Sequence, residues 1–276
     1  MMLFKRCLIV MLALKHKEHA RMGKALENVQ NLYLEGIAQG NAREAVQKYT
    51  GHRYTQHSTG VPDGVDGFLS FFEPFLERNP VRDIQIVRSI EDGPWVWCSA
   101  NQSLNNGEAK WVTMDLFFTD PDGLVLEHWD TISVYEKNIP SGEDMVGGPS
   151  APDLSVDGEA SKAIVREYTK QVLQEGNHEK LSEFVADDLI QHSAGIGAGP
   201  DGLASWLSSE SAGQYEFLFK LIGQGDLVMT YSKRHSNGTD IATFDLYRVA
   251  ESKIVEQWSN SEEIGPRENW GNSGKF

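Results

Sequence analysis

Apolar residues recur along this chain in two registers, first helical and then alternating, and the succession occurs twice. Residues 24–39 place Leu26, Val29, Leu32, Tyr33 and Ile37 at helical spacing, and Gly40 and Asn41 stop the run. Residues 42–49 fit a short second helix. Asp63 is placed to cap a third, which runs from Val65 through Phe68, Leu69, Phe72 and Phe75 to Asn79 and Pro80. The period then changes from about 3.6 to about 2. Strand-like runs over 81–91, 94–105, 108–119 and 124–136 are separated by turn sequences, among them Asn106-Gly107 and the stretch from Asp120 to Gly123. The second succession has helices near 160–175, 178–186 and 203–210, then strands near 214–222, 226–236, 239–249 and 253–262. Helices followed by a meander predict an α+β fold, three helices packed on one face of a curved antiparallel sheet in each copy.

The repetition extends to particular residues. Gln56, His57 and Ser58 return as Gln191, His192 and Ser193, and Pro62, Asp63 and Gly64 as Pro200, Asp201 and Gly202. Asn106-Gly107 returns as Asn237-Gly238, Asp115-Leu116 as Asp245-Leu246, and Glu127, His128 and Trp129 as Glu256, Gln257 and Trp258. The order is kept and the offset stays between 129 and 138 residues, far too long for a solenoid repeat. The expected organisation is an N-terminal extension at 1–21, a first domain at 22–137, a linker at 138–158 rich in Gly, Pro, Ser and Asp, and a second domain at 159–276.

Lys5 and Arg6 precede an apolar run from Cys7 to Leu14, which looks like the start of a secretory signal but is far shorter than the roughly 20 residues needed to cross a bilayer. No small-residue cleavage site follows. The competing reading starts the protein at Met22, directly before the first helix, and makes it cytoplasmic. Either way, residues 1–21 are set apart from the fold. The 276 residues are 40% hydrophobic and 24% charged, a composition for two ordinary globular domains. The formal charge is −15, and residues 1–24 hold six basic side chains against one acidic, leaving 19 basic and 39 acidic, or −20, in the rest. Such a body repels phosphate backbones and anionic lipid, which argues against nucleic-acid and membrane partners. Two cysteines, Cys7 and Cys98, supply neither a disulfide framework nor a four-cysteine zinc site.

Candidate chemistry gathers on the last two strands of the first copy. Trp111, Thr113, Asp115 and Phe117 share one strand face, opposite Val112, Met114, Leu116 and Phe118. An aspartate in so apolar a strand is costly unless it is bonded, paired or protonated. His128 and Asp130, two residues apart, also share a face, so the carboxylate could orient the ring. Simpler roles compete: Asp115 ion-paired to Arg88 or Lys110, Tyr33 as helix core, His57 bonded to a loop, His128 and Asp130 as a surface pair, Asp63 and Asp201 as helix caps. His57, His128 and Asp130 include metal-ligand types, but no local spacing supports a metal site and none is expected.

The segments Tyr54 to Ser58, Asp115 to Phe118 and Leu126 to Ile132 resemble the SnoaL-like polyketide cyclases, in particular the branch described as aldol-condensation enzymes, within the nuclear transport factor 2-like superfamily. The resemblance covers nearly all of 24–140 and, more loosely, 160–276. It implies two cone-shaped domains of the cystatin-like roll type, each with a deep pocket, and chemistry without cofactor or metal. Ketosteroid isomerase, a relative, uses a protonated Asp beside a Tyr as oxyanion hole. Asp115 and Tyr33 fall at those positions, and His57 falls where the isomerase has its base Asp, a departure. The implied set is a base (His57 or His128), an orienting carboxylate (Asp130), oxyanion donors (Tyr33, Asp115) and substrate contacts (Gln56, Trp111, Phe117, with His192 and Asp245 in the second copy). The second copy has Thr169, Gln257 and Ser259 at the other positions. The set suits proton abstraction α to a carbonyl, leading to aldol-type cyclisation or isomerisation. The alternatives are a non-catalytic binder of hydrophobic ligands and a tandem epoxide hydrolase or cyclase. The two copies are expected to pair through their sheets as an intramolecular pseudo-dimer, covering Trp95, Trp97, Trp111 and Trp206.

Overall fold

The computed structural model describes residues 23–276; the expectations for residues 1–21, for a start at Met22 and for Cys7 lie outside the described residues. In the first half, α1 (Lys24–Asn31) continues into a π-helical stretch, Leu32–Ala38, and is followed by α2 (Ala42–Tyr49), β1 (Thr50–Gln56), α3 (Gly64–Arg78), β2 (Arg82–Asp92), β3 (Trp95–Leu104), β4 (Ala109–Thr119) and β5 (Val125–Val134). The second half repeats the order. Its α4 (Gly158–Tyr168) runs into a π-helical stretch, Thr169–Gln174, and then come α5 (Leu181–Phe184), β6 (Val185–Gln191), α6 (Gly199–Leu207), β7 (Gln214–Gln224), β8 (Leu227–Ser236), β9 (Thr239–Ala250) and β10 (Lys253–Glu263).

Each half has a five-stranded sheet, in the orders β1-β5-β4-β3-β2 and β6-β10-β9-β8-β7. The four-stranded meander is antiparallel as expected. The sheets themselves are mixed, because β1 and β6 add a parallel strand beside β5 and β10. Residues 50–56 were not legible as a strand: they carry one large apolar side chain, Tyr54, and no alternation. Their only reason to be extended is the ladder that β5 offers. Asp63 also differs from expectation. It precedes α3 but makes no side-chain cap bond there, and its Oδ1 instead accepts from the Gln56 backbone N–H at 2.7 Å, fixing the end of β1. Asp201 lies inside the first turn of α6, whose cap position is Ala198.

Period-2 alternation divides each sheet into two working faces. On the helix side of the first half, Val96, Cys98, Phe117 and Val125 pack with Val29, Val46 and Phe68. The opposite face, carrying Ile90, Trp97, Met114, Leu116 and Trp129, forms one continuous cluster with Met229, Tyr231, Phe244, Leu246 and Trp258 of the second sheet. The two sheets therefore pack face to face. Trp129 and Phe219 meet at 5.6 Å between ring centroids, and the Lys220 ammonium lies 3.8 Å from the centre of the Trp95 ring. Polar bonds finish the contact: Asn260 Nδ2 donates to Val112 O at 2.8 Å, and Lys162 pairs with Asp92 at 2.8 Å. Trp111 and Trp206 are not part of that cluster. Trp111 turns to the helix side, and Trp206 lies on α6 against the second half's own core.

After its last strand, each half sends a strap onto the other. The strap after β5 reaches the second sheet, where Trp258 Nε1 donates to Gly147 O at 3.0 Å and His192 Nδ1 bonds Asp144 O at 2.6 Å. The strap after β10 reaches the first, where His57 Nδ1 bonds Gly274 O at 2.7 Å and Gly271 N donates to Thr59 O at 2.9 Å. Gly148 sits at φ +87° with Glu256 and the Trp258 ring where a β-carbon would go. Gly142, at φ +82°, has open space there. Changing either to Ala strains the backbone, but only Gly148→Ala also overpacks the strap contact. Its extra loss relative to Gly142→Ala should be about 1–3 kcal/mol, read from urea denaturation midpoints.

Candidate functional site

Between α1, α3 and the helix-side face of the first sheet lies a cavity of about 450 Å³. One wall is aromatic, built from Phe68, Phe72 and Phe75 of α3 with Trp111 and Tyr33; the other end carries Gln56, Ser58, Asp115, His128 and Asp130. Strand alternation places these groups. Thr113, Asp115 and Phe117 come from β4, His128 and Asp130 from β5, and Tyr54 and Gln56 from β1, all turned to one face.

An unbroken chain of hydrogen bonds joins them. Gln102 Nε2 donates to the Tyr33 hydroxyl at 2.8 Å, which meets Thr113 Oγ1 at 2.8 Å, and Thr113 in turn donates to Asp115 Oδ2 at 2.8 Å. Asp115 Oδ1 lies 3.0 Å from His128 Nε2. His128 Nδ1 is 2.9 Å from Gln56 Oε1, and Gln56 Nε2 donates to the Tyr54 hydroxyl at 2.8 Å. Thr113 spends its proton on Asp115, so Tyr33 donates to Thr113; Gln56 offers His128 an oxygen, so His128 Nδ1 carries a proton. The remaining contact, between Nε2 and Asp115, holds the proton that imidazole and carboxyl share. The π-helical stretch contributes by widening α1 where Tyr33 enters: Gln39 N reaches Leu34 O, five residues back, at 2.9 Å.

Asp115 and Asp130 stand directly opposite each other on β4 and β5. Two buried carboxylates so placed repel, and the structure resolves the repulsion unequally. Burial pushes the Asp115 carboxyl above its ordinary range, only partly offset by the bonds from His128 and Thr113. Burial also opposes ionisation of Asp130, but the Lys275 ammonium and His128 outweigh it and hold Asp130 below the usual carboxylate range. Lys275 Nζ is 2.9 Å from Asp130 Oδ1. No spacing in the sequence pointed to this lysine, which arrives from the far end of the chain.

Of the residues expected at the site, Tyr33, Gln56, Trp111, Asp115, Phe117, His128 and Asp130 all line the cavity. Phe117 stacks on His128 at 4.6 Å. The carboxylate that contacts the His128 ring nitrogen is Asp115 rather than Asp130. Asp115 is not ion-paired to Arg88, whose guanidinium instead donates to the carbonyls of Val146, Gly147 and Pro149. His57 is the main correction. Gln56 faces the cavity, so its neighbour faces away. The His57 ring lies flat on Trp129 at 4.2 Å, with Nε2 3.1 Å from Glu127 Oε2 and Nδ1 on Gly274 O, on the side where the two halves meet. His192 repeats the arrangement on Trp258 and Glu256. Both rings clamp a strap.

Asp115, His128 and Asp130 offer donor atoms within 4.8 Å of one another. Those atoms already have partners: both His128 nitrogens are bonded and Asp130 Oδ1 faces an ammonium. A divalent cation there would have to displace a resident positive charge, so the donor set does not fit a metal.

The second half has the same backbone and a different interior. Tyr168 stands where Leu32 does and Tyr247 where Phe117 does, and with Tyr215 both are buried in the core. Asp245 accepts from Ser259 and, at 3.4 Å, from the Tyr215 hydroxyl. Arg234, in place of Gln102, donates to Thr243 Oγ1 at 3.0 Å.

No family model matches the chain, and no curated protein matches it. Solved structures do. A candidate polyketide cyclase from Bacillus cereus matches at 16% identity over 40% of this chain and 74% of its own, with a TM-score of 0.36. A candidate SnoaL-like polyketide cyclase from a Jannaschia species matches at 21% over 40% and 86%, TM-score 0.35, and a candidate ketosteroid isomerase from Kribbella flavida at 14% over 41% and 84%, TM-score 0.36. The structures this chain is similar to are thus SnoaL-like polyketide cyclases and nuclear transport factor 2-like proteins. Each likeness spans less than half of the chain, at identities and TM-scores too low to carry function across.

Burial lifts Asp245 to about 6, with the bonds from Ser259 and the Arg234 charge holding it back. A carboxyl raised on folding contributes stability while it is protonated and loses it as pH rises through the folded value. Relative to Asp245→Asn, the wild type should therefore lose about 2 kcal/mol of unfolding free energy between pH 4 and pH 8. Denaturant titrations of the two proteins across that range measure the difference.

Proposed function

We propose that the first half is a small-molecule enzyme that binds a hydrophobic carbonyl compound and moves a proton next to the carbonyl. The observation that carries this reading is the pair of facing carboxylates, Asp115 lifted and Asp130 lowered, at the polar end of an aromatic cavity. Environments that drive two such groups apart assign an acid and a base. Asp130, ionised, takes the α-proton. The Asp115–His128 pair, which shares a proton, donates it toward the developing enolate oxygen, with Thr113 and Tyr33 as the supporting relay. The aromatic wall excludes water and orients the carbon skeleton. Aldol cyclisation, double-bond isomerisation and retro-aldol cleavage all begin with this transfer. His57 takes no part in it. The tyrosine-filled interior of the second half supports a scaffolding role for that copy.

The same two carboxylates also favour a second reading, epoxide opening, in which Asp115 protonates the epoxide oxygen and Asp130 activates a water. A test probe for each separates them. With 2-tetralone in deuterated water, the wild type should accelerate α-hydrogen exchange seen by proton NMR, and Asp130→Asn and Asp115→Asn should each slow it by about 10²-fold or more. Asp245→Asn and His192→Ala, checked for folding, should stay within about twofold, since neither residue lines the first cavity. Saturable binding of 2-tetralone with no exchange would favour a pure ligand binder. Hydrolysis of styrene oxide, lost in Asp115→Asn, would favour the epoxide reading.

A further inference from the structure

We propose that Lys275, delivered by the strap that follows the second half, is a positioning residue for Asp130, so that the second half completes the site of the first. The inference rests on the reading of the first cavity as the reaction site. Lys275 is 1% exposed, and its Nζ has three acceptors: Asp130 O at 2.8 Å, Asp130 Oδ1 at 2.9 Å and Glu262 Oε1 at 3.1 Å. These match the three donors of an ammonium, which is what makes its burial tolerable. It does not line the cavity, so it acts through Asp130 rather than on a ligand.

The strap is built to place it. Asn272 Nδ2 donates to Ser58 O at 2.6 Å and to Val61 O at 2.8 Å, and His57 holds Gly274 O next to Lys275. Ser58 and Val61 both line the cavity, and the Ser58 hydroxyl adds to the groups that hold the Asp130 carboxyl low. One segment thus fixes both the cavity loop and the carboxylate. From β10, Glu262 spans the same junction, with Oε2 accepting from Ile132 N at 3.2 Å.

The other half supplies the control. There the position of Asp130 is Ser259, which faces Asp245 across the strands, and no like-charge pair exists to be balanced. Its strap, from the first half, docks through backbone carbonyls on His192 and Trp258, while Arg88 of the first half holds further strap carbonyls. A strap can therefore dock without a lysine on an aspartate. The charge pair occurs where two carboxylates face each other beside a cavity.

The charged and titratable groups around Asp130 are Asp115 on β4, His128 on β5, Lys275 on the strap and Glu262 on β10, with the Tyr54 and Tyr231 hydroxyls nearby. Lys275→Met keeps the unbranched apolar stem and removes the ammonium and its charge. In the folded full-length chain, the Asp130 carboxyl, followed by carbon-13 NMR with Asp130→Asn for assignment, should then titrate at least ~1 unit higher, the scale of losing an opposite charge at this range. Lys275→Arg should restore much of the shift. The acid limb of the 2-tetralone exchange profile should move with it. Unchanged titration of Asp130 in folded Lys275→Met overturns the proposal. If the wild type shows no exchange at all, the reaction-site reading fails, and the NMR titration still decides the role of Lys275. Should Lys275→Met not fold, the double change Lys275→Met/Asp130→Asn decides: regained folding shows that the two charges answer each other, and continued failure overturns the proposal.

Discussion

The face-to-face contact of the two sheets is the constraint on which the rest of the molecule depends. Trp97, Trp129, Phe244 and Trp258 are buried there together with Met114, Leu116 and Leu246. Aromatic groups of that size contribute strongly to burial, on the order of 2–3 kcal/mol each when fully removed from water. Once one face of each sheet is committed to its counterpart, helices and loops must close the other face. In the first half they close around open space, and the cavity is the result.

The same contact explains the crossing straps. Each last strand ends beside the opposite sheet, so the chain leaving it meets the other half first. The two rings that clamp the straps, His57 on Trp129 and His192 on Trp258, use the face that the sheets share. A histidine that looks like a base in the sequence thus becomes a structural clamp, and a lysine with no motif around it reaches a buried carboxylate. Joining the halves in one chain keeps the strap at a high local concentration, which suits a contact made by only a few bonds.

Divergence between the halves follows from a few substitutions on a preserved frame. Tyr168 and Tyr247 fill volume where Leu32 and Phe117 leave it, and Arg234 replaces Gln102 at the end of the polar chain. Replacing Asp130 by Ser259 removes the facing carboxylate, and Asp245 is left with hydroxyl donors and a value near 6. Packing has been kept while the polar interior has changed. In the first half, the interior instead keeps two facing carboxylates, Asp115 pushed up by burial and Asp130 held down by the Lys275 ammonium.

The duplication, the α+β order and the inward face of the fourth strand were legible from residues alone, because alternation and helical period are local properties of the chain. They placed Trp111, Asp115, Phe117, His128 and Asp130 on faces that the structure turns into the cavity. The parallel strand at 50–56 was not legible, since its residues are extended by pairing with a strand some seventy positions later. The resemblance therefore put His57 in the site together with Gln56, although neighbours at the end of a strand face opposite ways. Nor could the sequence reveal Lys275, 145 residues from Asp130, or the Thr113 link between Tyr33 and Asp115. Sequence period determines which way a side chain points within its own element. Which buried charge meets which counter-charge is decided only when distant elements close on one another and water is driven out.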